Sequence, residues 1–289
     1  MSSVLTELRT WLRLPWAQRA VLGLSVLGFA LAVDAVWIEP ARLVVNRQEL
    51  HVPRWPAALS GLRVALLSDL HVGSPHWDLA RLRELVQRTN AEHPDLILLA
   101  GDYEINGVWF GSHVAIESIA AELGKLQAPL GVVAVLGNHD WWNDGPRSRR
   151  ALEANGVPVL DDETRTIDAR GTRFCLLGLR DEYYRERTAK QELALAPIGA
   201  PLIVLTHEPD VFAELDSSVS LTLAGHTHGG QVDLPLLGRR VVPSRFGARY
   251  AAGEVVEDGR MLFVTTGVGT SIIPVRFRVP PEIALLTLR

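Results

Sequence analysis

The chain has 289 residues, a single cysteine and a net charge of −4. That length suits one large domain with a well-buried core, and the acidic balance excludes a broad electrostatic attraction to nucleic acid while leaving a local anion site open. Lone Cys175 excludes an internal disulfide and a thiolate metal cluster, and within Arg173-Phe174-Cys175-Leu176-Leu177 it reads as a buried strand position.

Residues 20–38 form an apolar stretch broken only by Asp34. About twenty apolar residues cross a bilayer as a helix, so the length is sufficient. Trp11 and Trp16 on one side and Trp37 on the other match interfacial aromatic belts. Arg9, Arg13 and Arg19 precede the stretch, and the positive-inside rule then places the N-terminus in the cytoplasm and the rest of the chain outside. A cleavable signal is the competing reading, because Ala30-Leu31-Ala32 resembles a small-residue cleavage site that would leave Val33 as the mature terminus. Length and aromatic flanks favour a retained single-pass anchor, and no twin-arginine pair occurs in this region.

Residues 1–40 are thus expected as a basic segment and membrane anchor, 41–61 as a polar, extended lead-in, and 62–289 as one catalytic domain. Pro53 and Pro56 discourage a helix in the lead-in. Apolar runs at 62–67, 96–99 and 132–136 predict buried strands, separated by helical spacing over 78–90 and 113–123. That alternation implies parallel pairing through right-handed crossovers. Later strands are expected at 157–160, 165–168, 174–179, 202–205, 221–224, 250–256, 261–265 and 283–288, with helical turns only at 190–195 and 209–215. So many strands in one domain predict two sheets packed face to face with helices outside.

Short polar motifs follow several of these runs: Asp69-Leu70-His71, Gly101-Asp102, Gly137-Asn138-His139-Asp140, Thr206-His207-Glu208 and Gly225-His226-Thr227-His228. In an α/β sheet, ligands bind beyond the carboxyl ends of the strands, where these motifs are expected to meet. Any one of them alone reads as a turn, a cap or a satisfied polar group; together, carboxylate, imidazole and amide oxygen suit Zn, Mn or Fe. Two divalent ions bring four positive charges against two from Asp69 and Asp102, which leaves an excess for a phosphate oxygen. Ions about 3.5–4 Å apart can clamp the attacking and leaving oxygens of an in-line displacement.

These five blocks, in this order over residues 62–230, resemble the calcineurin-like metallophosphoesterases. Pro243-Ser244-Arg245-Phe246-Gly247 and Thr266-Gly267-Val268-Gly269-Thr270-Ser271 are similar to the membrane-associated bacterial branch of that family. The resemblance implies a four-layer αββα sandwich of two mixed sheets flanked by helices, and a pair of divalent metal ions. It implies that Asp69, His71 and His228 bind one ion, that Asn138, His207 and His226 bind the other, and that Asp102 bridges them. His139 would protonate the leaving oxygen or steady the developing charge, with Asp140 orienting its imidazole.

The expected activity is hydrolysis of a phosphodiester or pyrophosphate by metal-bound hydroxide, at the bacterial inner membrane. The branch suggests a lipid-linked substrate such as UDP-2,3-diacylglucosamine in lipid A synthesis, which is cytoplasmic and conflicts with the topology drawn from the three arginines. A phosphodiesterase of soluble or cyclic nucleotides and a non-catalytic binding module are the rivals. Arg245 and Arg249 are candidate substrate contacts. Gly267-Val268-Gly269 reads as a turn, and His51, His76, His93 and His113 read as surface positions.

Overall fold

The computed structural model describes residues 15–197 and 199–289, so Arg9, Trp11 and Arg13 lie outside the described residues. Helix α1 (Trp16–Val33) runs on through a π-helical turn, Asp34–Ile38, and a 3-10 turn, Glu39–Ala41. This segment is long and apolar enough to cross a membrane, and none of its most apolar window is buried against the protein. Its 26 residues span roughly 39 Å at the helical rise of about 1.5 Å per residue.

Thirteen strands follow among the described residues: β1 (Val44–Leu50), β2 (Leu62–Leu67), β3 (Leu96–Leu99), β4 (Val132–Ala134), β5 (Glu163–Ala169), β6 (Thr172–Gly178), β7 (Leu202–Leu205), β8 (Leu221–Ala224), β9 (Asp233–Leu234), β10 (Gly238–Arg239), β11 (Gly253–Glu257), β12 (Arg260–Val264) and β13 (Glu282–Leu288). One sheet has the order β1-β13-β2-β3-β4 and another β11-β12-β8-β7-β6-β5, while β9 and β10 form a small hairpin. The segments β2-β3-β4 and β6-β7-β8-β12 pair in parallel, with antiparallel partners beside them, so both sheets are mixed.

Strand alternation builds the layers. Val64, Leu66, Leu96 and Leu98 pack on Phe174, Leu176, Ile203, Leu205, Leu221 and Phe263 between the two sheets. The opposite face of the first sheet, with Ala65, Leu67, Ile97 and Leu99, is covered by α2 (Leu79–Ala91), α3 (Ile116–Leu123) and α4 (Asn138–Ala154). Outside the second sheet, Cys175, Leu177 and Val204 pack under α5 (Ala189–Glu192) and the turn Pro209–Glu214. The result is the αββα arrangement. Helix α2 starts where its Asp78 carboxylate accepts the Arg81 N–H at 2.9 Å, and it buries Leu82, Leu85 and Val86 on one face.

Several elements differ from expectation. The lead-in contributes β1, which pairs with β13 over its whole length, from Val44↔Glu282 to Leu50↔Leu288. Residues 157–160 form no strand; Val159 makes one bridge to Ala134, because β4 is only three residues long and Pro158 has no N–H to extend the ladder. The segment expected as a strand from residue 250 begins with a 3-10 turn, Gly247–Tyr250, and extends only from Gly253. Helix α4 is absent from the sequence reading because Gly145 and Pro146 interrupt its apolar period. The backbone leaves the helix at Asp144, whose carboxylate caps the second half by accepting the Arg147 N–H at 3.0 Å.

Candidate metal centre

Each motif sits just past a strand of the parallel segments, and the loops there are bent hard. Asp69, His71, Asp102, His226 and His228 all take positive φ, between 41° and 69°, a region that non-glycine residues avoid. Such strain persists where the surrounding structure over-determines it, most often at functional sites. Close packing allows the loops to meet. A Cβ on Gly137 would fall on the Asp102 carboxylate, and one on Gly267 would fall on Asp69.

The side chains converge. Nε2 of His207 lies 3.2 Å from Asp102 Oδ2 and 3.1 Å from Asn138 Oδ1, which in turn is 3.1 Å from His226 Nδ1. Nε2 of His71 lies 3.5 Å from Asp102 Oδ2 and 3.1 Å from His228 Nε2, and the latter is 3.4 Å from Asp69 Oδ1. Asp102 thus touches both halves of the cluster. Asp69, His71 and His228 form one group that could hold an ion, and Asp69, Asp102 and His207 another. All are buried except His226, which is partly open.

The donor set fits divalent cations. His71 Nδ1 faces the Glu104 carbonyl oxygen at 3.3 Å and His207 Nδ1 faces that of Ala100 at 2.7 Å. Those carbonyls fix the Nδ1–H tautomer, so both Nε2 lone pairs point inward. There they meet Asp102 Oδ2 and Asn138 Oδ1, and buried Asp69 Oδ1 has no hydrogen-bond partner. Acceptors crowded together without donors call for a cation.

The electrostatics agree. Burial, reinforced by Asp102 and partly opposed by His207, pushes the Asp69 carboxyl up to about 6. Burial pushes His71 and His226 down to about 3 and His228 well below the usual imidazole value, which keeps them neutral. His207 goes the other way: burial lowers it, yet the Asp102 carboxylate lifts it well above the usual value.

His139 stands beside the cluster, its Nε2 4.0 Å from Asp102 Oδ2 and its ring edge-on to His71 with centroids 4.7 Å apart. Trp142 tilts over it at 4.8 Å, and its buried Nδ1 has no partner. Asp140 makes no hydrogen bond to that imidazole. Its carboxylate accepts the backbone N–H groups of Asp102 at 2.8 Å, Gly137 at 2.9 Å and Tyr103 at 2.9 Å. The reason is position: Asp140 is the third residue of α4, so its side chain turns back to the loop before the helix.

Among the described residues Arg245 and Arg249 make no hydrogen bond or ion pair with the cluster. Arg245 is half-exposed and pairs with Glu182 and Asp210, and Arg249 pairs with Glu257 at 2.6 Å. His51 and His113 are exposed, while His76 binds the Val36 carbonyl at 2.8 Å. Arg276 escaped the sequence reading. Fully buried, it donates to the carbonyl oxygens of Thr266, Gly269 and Val279 at 2.6–3.1 Å and so fixes the turn beneath Asp69 and His71. Its spacing in sequence carries no signal for that task.

Residues 62–230 match the family model described as calcineurin-like phosphoesterase. The chain is 30% identical over 258 residues to the metallophosphoesterase YkuE of Bacillus subtilis, covering 88% of each protein. It is 30% identical to the phosphodiesterase YaeI of Escherichia coli, covering 78% of this chain and 82% of that one. A zebrafish (Danio rerio) transmembrane protein with metallophosphoesterase domain is 28% identical, over 83% of this chain and 56% of its own. With a family match over more than half its length and a donor cage for two divalent cations, the chain belongs to the calcineurin-like phosphoesterases and is a metal-dependent enzyme of that family.

Proposed function

We propose that this enzyme hydrolyses a phosphodiester or pyrophosphate bond in a substrate held at a membrane, with its catalytic domain on the extracytoplasmic side. The observation that carries the chemistry is the inward convergence of acceptor atoms around Asp102 with a free imidazole beside them. Asp69, His71 and His228 would hold one cation and Asn138, His207 and His226 the other, with Asp102 placed between the two groups. When bound, two divalent ions supply Lewis acidity to the phosphorus centre and activate water at neutral pH.

The protein's own groups do the rest. The carbonyls of Glu104 and Ala100 keep His71 and His207 in the ligating tautomer. His139, whose Nδ1 has no competing hydrogen bond, donates a proton to the leaving oxygen. Trp142 and His71 pack against its ring and limit its swing.

The membrane reading is supported by the exposed apolar helix ahead of the domain, by the arginines before it and by the name of the zebrafish relative. A cavity of about 460 Å³, lined by Ala41 at the end of the anchor, by Trp77 and Phe110 and by the polar His76, Asp78 and Arg81, lies where the helical segment meets the domain. YaeI, a phosphodiesterase by name, supports the diester over the monoester.

The test is turnover of bis-p-nitrophenyl phosphate against the monoester with Mn²⁺, then a panel including UDP-2,3-diacylglucosamine, lipid phosphodiesters and cyclic nucleotides. Diester turnover that His139→Ala cuts by about 10²–10⁴-fold, with metals retained, is the expected result. No turnover with any divalent ion, or a preference for soluble nucleotides, overturns it.

A further inference from the structure

We infer that three loop tips, carrying Trp109 and Phe110, Leu236 and Leu237, and Ile272 and Ile273, rest in the interfacial layer of the bilayer that α1 crosses. The inference rests on the membrane reading above and adds a second, lipid-contacting surface to it. All six side chains are exposed, Phe110 and Leu236 almost completely. Scattered apolar residues on a surface are ordinary, but contiguous loops of them mark an interaction site.

These loops are tied to one another and to the anchor. The Trp109 N–H donates to the Ile272 carbonyl at 2.9 Å, and the Arg276 N–H donates to Ala35 in the last turns of the apolar helix at 2.9 Å. The His76 ring meets the Val36 carbonyl at 2.8 Å, and the hairpin of β9 and β10 is fixed to the same strip through Asp233 N–H to Phe277 at 3.0 Å. Where the helix leaves the bilayer, the tips are held with it. They do not hang on a flexible tether.

The backbone adds an independent sign. Phe110, Leu236 and Ile272 have φ of 61°, 67° and 57°, a conformation that costs a bulky side chain energy and a β-branched one most. Each strained residue points an apolar group outward, where water alone gives no return. Arg240 and Arg278 flank the tips, exposed and without an ion pair among the described residues, as suits phosphate headgroups. Gln231 lies three residues after His228, and its Oε1 accepts the Ser271 N–H at 2.7 Å, so the Ile272 loop and the candidate ligand loop are joined. The surface therefore holds the metal cluster near headgroup depth and favours lipid-borne phosphodiesters.

The experiment uses the full chain in phosphatidylethanolamine–phosphatidylglycerol vesicles. Cysteine is introduced singly at Phe110, Leu236, Ile272, Leu24 in the anchor, and Asp168 at the far end of the second sheet; native Cys175 is buried and does not compete for label. Each site carries an environment-sensitive fluorophore, read with and without doxyl-labelled lipid. The expected result is a blue shift with quenching by shallow doxyl at 110, 236 and 272, quenching by deep doxyl at 24, and neither at 168. Quenching at 24 with aqueous tips overturns the inference and leaves the anchor standing. Tips shifted to the blue but not quenched by doxyl lipid reveal a protein partner or a second copy, and also overturn it. An aqueous probe at 24 removes the membrane reading and the inference together.

Discussion

Substituting Asp140 separates two accounts of the residue. Its carboxylate accepts three buried backbone N–H groups and touches neither nitrogen of His139. Asp140→Asn can keep two of the three by placing its carbonyl where Oδ2 lies, and then sets an amide NH₂ against the Tyr103 N–H. An unpaired buried donor costs about 1–3 kcal/mol, and that is the expected loss. Asp140→Ala strands all three donors, about 3–9 kcal/mol, which is comparable to the whole stability of about 5–15 kcal/mol for a folded domain. The comparison is made at pH 8, because burial and the Asp102 charge push the Asp140 carboxyl up to about 7 and it must be ionised. Urea denaturation reads the stability and elemental analysis the metal content; the pH dependence of diester turnover reads His139. The Asn variant should lose stability and metal together, with the shape of its pH–rate profile unchanged. An unchanged midpoint with a displaced pH–rate limb would support the orienting role and refute a purely backbone-holding one.

The other predictions concern the same cage. His139→Ala should cut turnover by about 10²–10⁴-fold, the usual weight of a general acid, while elemental analysis still finds both metals. Metal affinity should fall with pH: the Asp69 proton, lost near about 6, and the His207 proton, held to higher pH, both compete with a cation. Below pH 6 each displaced proton costs about tenfold in affinity per pH unit, and calorimetry in buffers of different ionisation enthalpy should register proton release on binding. A flat affinity from pH 5 to 8 would contradict those protonation states. Gly137→Ala should keep the circular dichroism of the native protein and lose metal, since the added methyl displaces the Asp102 carboxylate. Arg276→Lys should lower the thermal midpoint and metal content, because one ammonium cannot serve three carbonyls; each lost charged hydrogen bond is worth about 1.5–3 kcal/mol.

The parts of this protein that sequence reveals are those with a short-range cause. Buried strands such as 62–67 and 202–205 are apolar almost throughout, Arg63 excepted, because both faces are covered, and their bounds are those of β2 and β7. The candidate ligands are legible for a related reason: each lies two to four positions beyond such a strand, so parallel pairing alone carries it to one edge. What stays hidden depends on partners far away in the chain. Edge strand β1 reads as polar lead-in because its ladder comes from β13, more than 230 residues later. Helix α4 is masked by the glycine and proline at its break. Asp140 shows how residue type can mislead about role. A carboxylate next to a candidate acid histidine invites the pairing, but the helix start turns it to the backbone, so its bonds hold the loop that carries Asp102. The site therefore owes its ligands to residues that sequence displays and its rigidity to hydrogen bonds that sequence does not, from Asp140 on one side and Arg276 on the other.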